Sequence, residues 1–519
     1  MSGADYSSKS QPFSYRKLAG GLNSTASPTS LEDNESSDLQ NIDFDITGQF
    51  HKRNGSTLLN TTAFNSGATW NGLYWFEKSD GTKYLLGTCG NKLGVSTTLS
   101  QTSTPFTDRT GGLTFTVGNN NQTSFATMLD TVIGTNGVDL PWQCVGSSNA
   151  VVVAGIAGGG SAPTITTAKF VEVFSNYCFL ANMNWGGAYQ GSRVQWSAID
   201  SISTWSASDF RDVNKADGQV ITGLKKLGQS LVIFKRHSIW IAQFTGDSDI
   251  PFVFTQTPST VGAVSGYSIQ EVQNGLVFLA DDGLYYFDGN NSYKLSMRVR
   301  NTINGFNINR FPQCCSVYSN TNNRYISSFS AASDSTHSKQ ITWDSLNNAF
   351  SLYKGLNANC FARTYNSGVE TLFFGDYSGF VHQMDTGSSD YDTSNVAQAV
   401  DSYYYTKWFD FGDMISKKAT PQVSIYYEFT TGTLTFAYSY DFEQADSYTQ
   451  TFSMAAGSSL YGTAVYDTDT YAGSGGNVNP RHLTGRGKVV RFKFANANVG
   501  EDMIIDGFSV FANAETNVK

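Results

Sequence analysis

One local pattern recurs through most of this chain. An aromatic-rich run of strand-forming residues leads into a turn of Gly, Asn or Asp, and a second aromatic run follows. The clearest copy is Gly275-Leu-Val-Phe-Leu-Ala280, the turn Asp281-Asp282-Gly283, and Leu284-Tyr-Tyr-Phe287. Others centre on Ser79-Asp80-Gly81, on Lys235-Arg236-His237 and on Asn347-Asn348. The groups return about every 30 to 45 residues, near the period of β-propeller blades. A small sheet of this kind cannot bury both faces alone. Stacking such sheets radially buries them, and closing the ring protects their edges. The pattern therefore predicts a β-propeller of about seven blades over residues 61–390, although a run of β-sandwiches satisfies the same spacing.

The stretch Trp196-Ser-Ala-Ile-Asp-Ser-Ile-Ser-Thr-Trp205 sits inside this rhythm. Two tryptophans around a polar turn suggest a sugar platform. Set among blades, they are expected to pack between neighbouring sheets, where each ring buries about 150–250 Å².

Composition agrees with an all-β chain. Of 519 residues only 15% are charged, while Gly numbers 50, Tyr 27 and Phe 36, a mix poor for helices and good for strands and turns. The length calls for two or three domains. Residues 386–402 are rich in Gly, Ser, Asp and Thr and read as a linker. Beyond them the period-two runs 403–412, 423–429, 434–440, 488–494 and 503–511 predict a C-terminal β-sandwich over 400–519. Residues 1–60 are expected to form an extended N-terminal arm with a hairpin. Ile42, Phe44 and Ile46 alternate, Gly48 supplies a turn, and Asn54-Gly55 is a strong two-residue hairpin signal.

Several kinds of chemistry lack their residues. A net charge of −9, with only the sparse set Arg298, Arg300 and Arg310, argues against a surface that grips nucleic acid. The five histidines are scattered, no Cys-x-x-Cys occurs, and the six cysteines (89, 144, 178, 314, 315 and 360) are expected as buried free thiols. Asp43-Phe-Asp45 and Asp467-Thr-Asp469 lack the regular loop of a calcium site. There is no Gly-x-Ser-x-Gly elbow and no phosphate-binding loop, so the expectation is a non-enzyme without cofactor or metal. The competing class is a carbohydrate-binding or depolymerising propeller, with Trp70, Trp185 and Tyr189 able to stack on sugar rings. Carboxylate pairs converging from distant strands would leave no local spacing to read. The start of the chain has no basic-then-apolar leader, and no run approaches the roughly 18 apolar residues of a membrane span. A soluble product of the cytosol is expected.

The N-terminal text carries a resemblance. Gly20-Gly21-Leu22-Asn23, Ser27-Pro28, Leu39-Gln-Asn41-Ile42-Asp43, Gly48 and Lys52-Arg53-Asn54-Gly55 resemble the opening of β-propeller tail proteins of tailed bacteriophages. Val194-Gln-Trp-Ser-Ala198 with Trp205, Leu231-Val-Ile-Phe-Lys235 with Trp240, and the 275–289 hairpin are similar too. The likeness spans about 15–390 and leaves the C-terminal sandwich unmatched. It implies the tail nozzle of short-tailed phages, a tail-tubular-B-like structural protein of the virion made in the host bacterial cytoplasm. The partners it implies are copies of itself in a homohexameric ring, the adaptor of the head-to-tail connector, and tail fibres or tailspikes. DNA would pass through the ring without specific binding. The assembly-interface candidates are Gly20, Gly21, Leu22, Asn23, Asn41, Lys52, Arg53 and Gly55, which lie outside the propeller pattern. Removal of residues 1–55 is then expected to spare the ring and abolish assembly.

Overall fold

Each recurrent group forms one small antiparallel sheet. A computed structural model describes residues 11–455 and 477–514. Seven sheets, with strands at 70–108, 124–152, 157–212, 221–256, 270–294, 316–354 and 360–399, are the blades of a β-propeller. The hairpins expected at 79–81, 281–283 and 347–348 form. Asp130, Asn176, Asn323 and Asn348 all take the left-handed conformation that short polar side chains tolerate. Each pair of neighbouring blades shares its own apolar core. Trp205 lies in the core between blades two and three, and Trp196 in the next, 5.5 Å from Phe252 of blade four. Both tryptophans are framework. Among the described residues no helix is long and apolar enough to cross a membrane.

The ring closes by borrowing a strand. Ser56–Leu58 pairs antiparallel with Val381–Met384, so blade seven contains residues from both ends of the propeller segment. On the inner side, Asn359 Nδ2 donates to the Trp70 carbonyl at 2.8 Å, tying blade seven to blade one. The stretch read as a linker continues blade seven. Ser389–Tyr391 and Ala397–Ala399 pair with each other, and Asp390 pairs with Ser56.

The sandwich is likewise built from both chain ends. One sheet runs Ile42–Phe44, Phe50–Lys52, Ile504–Ala514, Lys418–Tyr427, Asn477–His482, and Gln11–Arg16 adds to Ile504–Ala514. The other runs Gly21–Leu22, Glu35–Gln40, Ser402–Thr406, Val490–Asn496, Thr433–Tyr440, Tyr448–Ser453. Residues 11–52, expected as part of an extended N-terminal arm with a hairpin, thus supply five sandwich strands. The reason is pairing. Ile42–Phe44 pairs with Phe50–Lys52, Phe50–Lys52 pairs with the start of Ile504–Ala514, and Gln11–Arg16 pairs farther along that same strand, so backbone groups from the two chain ends satisfy one another. The hairpin at Gly48 forms, with Ile42 opposite Lys52. The one expected at Asn54-Gly55 does not, because there the chain crosses from sandwich to blade seven. A Cβ on Gly55 would lie 1.9 Å from the Ser389 carbonyl oxygen, so only glycine fits.

Candidate functional site

The residues singled out in the N-terminal text converge on the seam between propeller and sandwich. The seam forms where the chain bends at Asn41, a left-handed residue with φ of 54°. The bend lays Gly21–Leu22, Glu35–Gln40 and Ile42–Phe44 against the outer strand of blade six, Ala349–Lys354. Asn41 N–H donates to the Leu352 carbonyl at 2.8 Å, and its Oδ1 accepts from Lys354 N–H at 2.9 Å. The edge of blade six is thereby covered. Gly21, at φ of 76°, lies where a Cβ would meet the Phe350 backbone nitrogen at 2.5 Å. Leu22 is buried in a core that runs without a break from blades five and six into the sandwich. Gly20 bonds the Asn34 carbonyl, and Asn23 donates to Glu35 Oε2 at 2.9 Å.

Two buried arginines brace this seam. All five N–H groups of Arg53 find acceptors. They are Asn41 Oδ1 (3.0 Å), the Asn54 carbonyl (2.9 Å), the Lys354 carbonyl (3.1 Å) and both oxygens of Asp390 (3.1 and 2.5 Å). One side chain so joins the sandwich, blade six and blade seven. Arg324 of blade six bonds Asp43 from the sandwich, Tyr353 at 2.9 Å, and Asp385 at 2.8 and 2.9 Å. The Tyr353 ring packs near both guanidinium groups, 5.5 Å from that of Arg53 and 5.7 Å from that of Arg324. Burial alone would raise the Asp43 pKa, but Arg324 beside it, with His51 and the Tyr353 hydroxyl, holds it below the ordinary carboxylate value. Lys52 donates to Asn496 Oδ1 (2.9 Å) and the Asn498 carbonyl (3.1 Å). Burial lowers its pKa, against the opposing pull of Asp502 and Glu501.

The candidates therefore make an interface within one chain. Lys52 and Arg53 are 0% and 2% exposed, and Asn41 is 2% exposed, so none of them is available to a neighbouring molecule. A cleft of about 340 Å³ opens beside the seam, lined by Asp43, Asp45, Asp344, Asp385, His51 and Arg324 among others. Its carboxylates are already engaged. Asp45 caps the turn at Thr47–Gln49, Asp344 caps Leu346 and Asn347, and Asp43 and Asp385 hold Arg324. A general acid needs a raised pKa, the reverse of the shift at Asp43.

The propeller axis is the second place where function commonly resides. A cavity of about 190 Å³ touches the inner side of all seven blades, and Glu172 is the one carboxylate lining it. Burial raises the Glu172 pKa, partly offset by Lys225. One end of the axis is closed by side chains from distant blades. Tyr267 donates to the Gln122 carbonyl at 2.8 Å, and Gln122 Nε2 donates to the carbonyls of Gln313 and Asn359. His337 Nε2 donates to the same Gln313 carbonyl at 3.0 Å, which leaves Nδ1 to accept from Ser330 Oγ at 3.0 Å. His337 is wholly buried, and burial lowers its pKa to about 4. Of this cap the sequence showed nothing. Its members are common polar residues, brought together only by ring closure.

The remaining expectations are placed as follows. All six cysteines are free and buried. Among the described residues no cluster of three or more His, Cys, Asp or Glu could hold a metal ion, and Asp467 and Asp469 lie outside those residues. Trp70 is fully buried, Trp185 stacks on Arg193 at 4.8 Å, and Tyr189 is 61% exposed.

The fold and the sites define a seven-bladed propeller closed by an N-terminal strand and fused through a buried ionic seam to a sandwich made from both chain ends. No family model matches the sequence, and no curated protein matches it. Among solved structures, the chain is similar to PorZ, a bacterial surface component of the type-IX secretion system of Porphyromonas gingivalis. The identity is 12%, over 67% of this chain and 42% of that one, with a TM-score of 0.39. It is also similar to YCF48, solved bound to a D1 peptide, with 10% identity over 67% of this chain and 100% of that one and a TM-score of 0.41. The chain spans less than half the length of PorZ. At these scores the propeller assignment rests on the seven sheets themselves.

Proposed function

We propose that this protein is a structural subunit of a phage tail, the nozzle or hub ring through which DNA leaves the particle. What carries the reading is the seam. The text that resembles phage tail proteins is the part that welds propeller to sandwich, with two buried arginines reaching three elements each. Such a body resists shear between its halves, as a ring under internal pressure requires. The closed axis gives the second argument. A cavity of about 190 Å³ capped by Gln122 and Tyr267 admits no duplex, so DNA would run between copies arranged in a ring, never through a propeller. A chain of net charge −9 would let phosphates slide past without sticking. In this reading the ring is a homohexamer that docks to the adaptor of the head-to-tail connector and to tail fibres, in the tail of the virion.

Negative-stain images of the purified protein and of particles test the proposal. Six-fold rings at the tail are expected, and particles lacking the protein should fail to retain or eject DNA. One observation favours a second reading, a carbohydrate-binding propeller, because Tyr189 stands exposed on a protruding hairpin of blade three. Binding on a glycan array or release of reducing sugar, without ring formation, would decide for it.

A further inference from the structure

Open sheet edges attract strands from other molecules, and folded proteins blunt them with short strands, charges, prolines or covering elements. The chain protects nearly all of its edges in these ways. The outer strands of blades one, two, five and seven are two or three residues long: Thr107–Asp108, Val151–Val152, Ser292–Lys294 and Ala397–Ala399. That of blade three, Trp205–Asp212, carries Asp209, Arg211 and Asp212, and that of blade six lies under the sandwich. In the sandwich, Gln11–Arg16 contains Pro12 and Arg16, and Asn477–His482 contains Pro480 and Arg481. Gly21–Leu22 and Ile42–Phe44 are short.

Among the described residues two edges have none of these protections. The outer strand of blade four, Phe252–Gln256, reads Phe-Val-Phe-Thr-Gln, and the sandwich edge Tyr448–Ser453 reads Tyr-Thr-Gln-Thr-Phe-Ser. Both are uncharged, free of proline and five or six residues long. Among the described residues no strand pairs with the outer side of either. Their ladders show which backbone groups are free. Thr257 N–H bonds the Ile239 carbonyl and Thr245 N–H bonds that of Pro251, so Val253 and Thr255 bond inward and Phe252, Phe254 and Gln256 face outward. Met454 N–H bonds the Gly432 carbonyl, so Thr449, Thr451 and Ser453 face outward on the other edge. Exposed apolar side chains flank both edges: Phe244 (42%), Ile250 (61%) and Val253 (47%) on blade four, and Tyr448 (38%) on the sandwich.

We infer that the blade-four edge Phe252–Gln256 pairs with the sandwich edge Tyr448–Ser453 of a second copy of this chain. Two different open edges of matching length and chemistry, on separate domains, are what a head-to-tail contact needs. Such a contact either closes into a ring or runs on as a filament. The inference deepens the nozzle reading by naming the strands that join one copy to the next.

The test uses full-length Gln256→Pro and Thr451→Pro, each of which removes only an outward N–H and leaves the internal ladder intact. Sedimentation velocity at the highest soluble concentration should show association of the wild type, weakened about ten-fold or more in each variant. An equimolar mixture of the two variants should give dimers and nothing larger, since one competent edge of each kind remains. If a proline lowers the melting temperature, Val253→Lys and Thr449→Lys place a charge on the same edges and carry the same expectation. A monomeric wild type, or a Thr451→Pro protein that associates like the wild type, overturns the pairing. Open filaments lost in both variants would keep the pairing and remove the nozzle reading. Closed six-fold rings indifferent to both substitutions would do the reverse.

Discussion

Arg53 shows at the scale of one residue why a basic pair that reads as outward-facing can end up buried. Lys52-Arg53 reads as a surface feature because local sequence holds nothing acidic within reach except Asp43 and Asp45. Their partners, Asp390 and Asn496, lie more than 300 residues away. Arg53→Ala should cost about 3–5 kcal/mol, because it leaves the largely buried Asp390 carboxylate unpaired. A shift of the urea midpoint measures this, and Asp390→Asn in the same chain should restore part of the loss. His337 supplies the pH dependence. Its folded pKa, about 4, lies below the unfolded value of about 6.5. The folded state therefore binds its proton less readily than the unfolded state does. The contribution is fully present above about pH 6.5 and is lost as pH falls from there to about 4, on the order of 3 kcal/mol in all. Melting temperature followed from pH 7 to pH 4 should fall, and His337→Asn should flatten that slope.

At the scale of elements, the blades were legible and the closures were not. Aromatic alternation and Gly, Asn or Asp turns are local signals, and the hairpins at 79–81, 281–283 and 347–348 form as read. The strand Ser56–Leu58 has only three residues and no alternation of its own, so nothing local marks it as part of blade seven. The N-terminal sandwich strands were read as an arm because Gln11–Arg16, Glu35–Gln40 and Phe50–Lys52, which tie them into the sheets, find their partners only after residue 400. The truncation lacking residues 1–55 therefore has a different expected outcome from the one the sequence suggested. It removes strands from both sandwich sheets and should abolish cooperative folding, measured by thermal melting of the soluble fraction. A truncation that melts like the full chain would show that the sandwich tolerates their loss.

For the whole molecule, the continuous core through blades five and six and the sandwich predicts one unfolding transition where two domains would give two. Differential scanning calorimetry should show a single peak for the wild type. Arg324→Met, which frees Asp43 and Asp385 and cuts the ionic link across the seam, should split or broaden it. Acid should weaken the same link. With its folded pKa depressed, Asp43 contributes fully above the ordinary value of about 3.9, and that contribution is lost as pH falls through the lower folded value.

The borrowed strand also sets a timetable. A ribosome adds about 5–20 residues per second, so Ser56–Leu58 is made about 15 to 60 s before Val381–Met384 exists to receive it. Gln11–Arg16 waits longer still for Ile504–Ala514. During synthesis six blades can fold in order behind an unmatched leading segment, blade seven closes once Ala399 is made, and the residues that follow complete the sandwich. Completion of the fold is then a check on translation. A chain cut short before Ile504–Ala514 lacks the strand that pairs with Gln11–Arg16, Phe50–Lys52 and Lys418–Tyr427, so its sandwich stays incomplete.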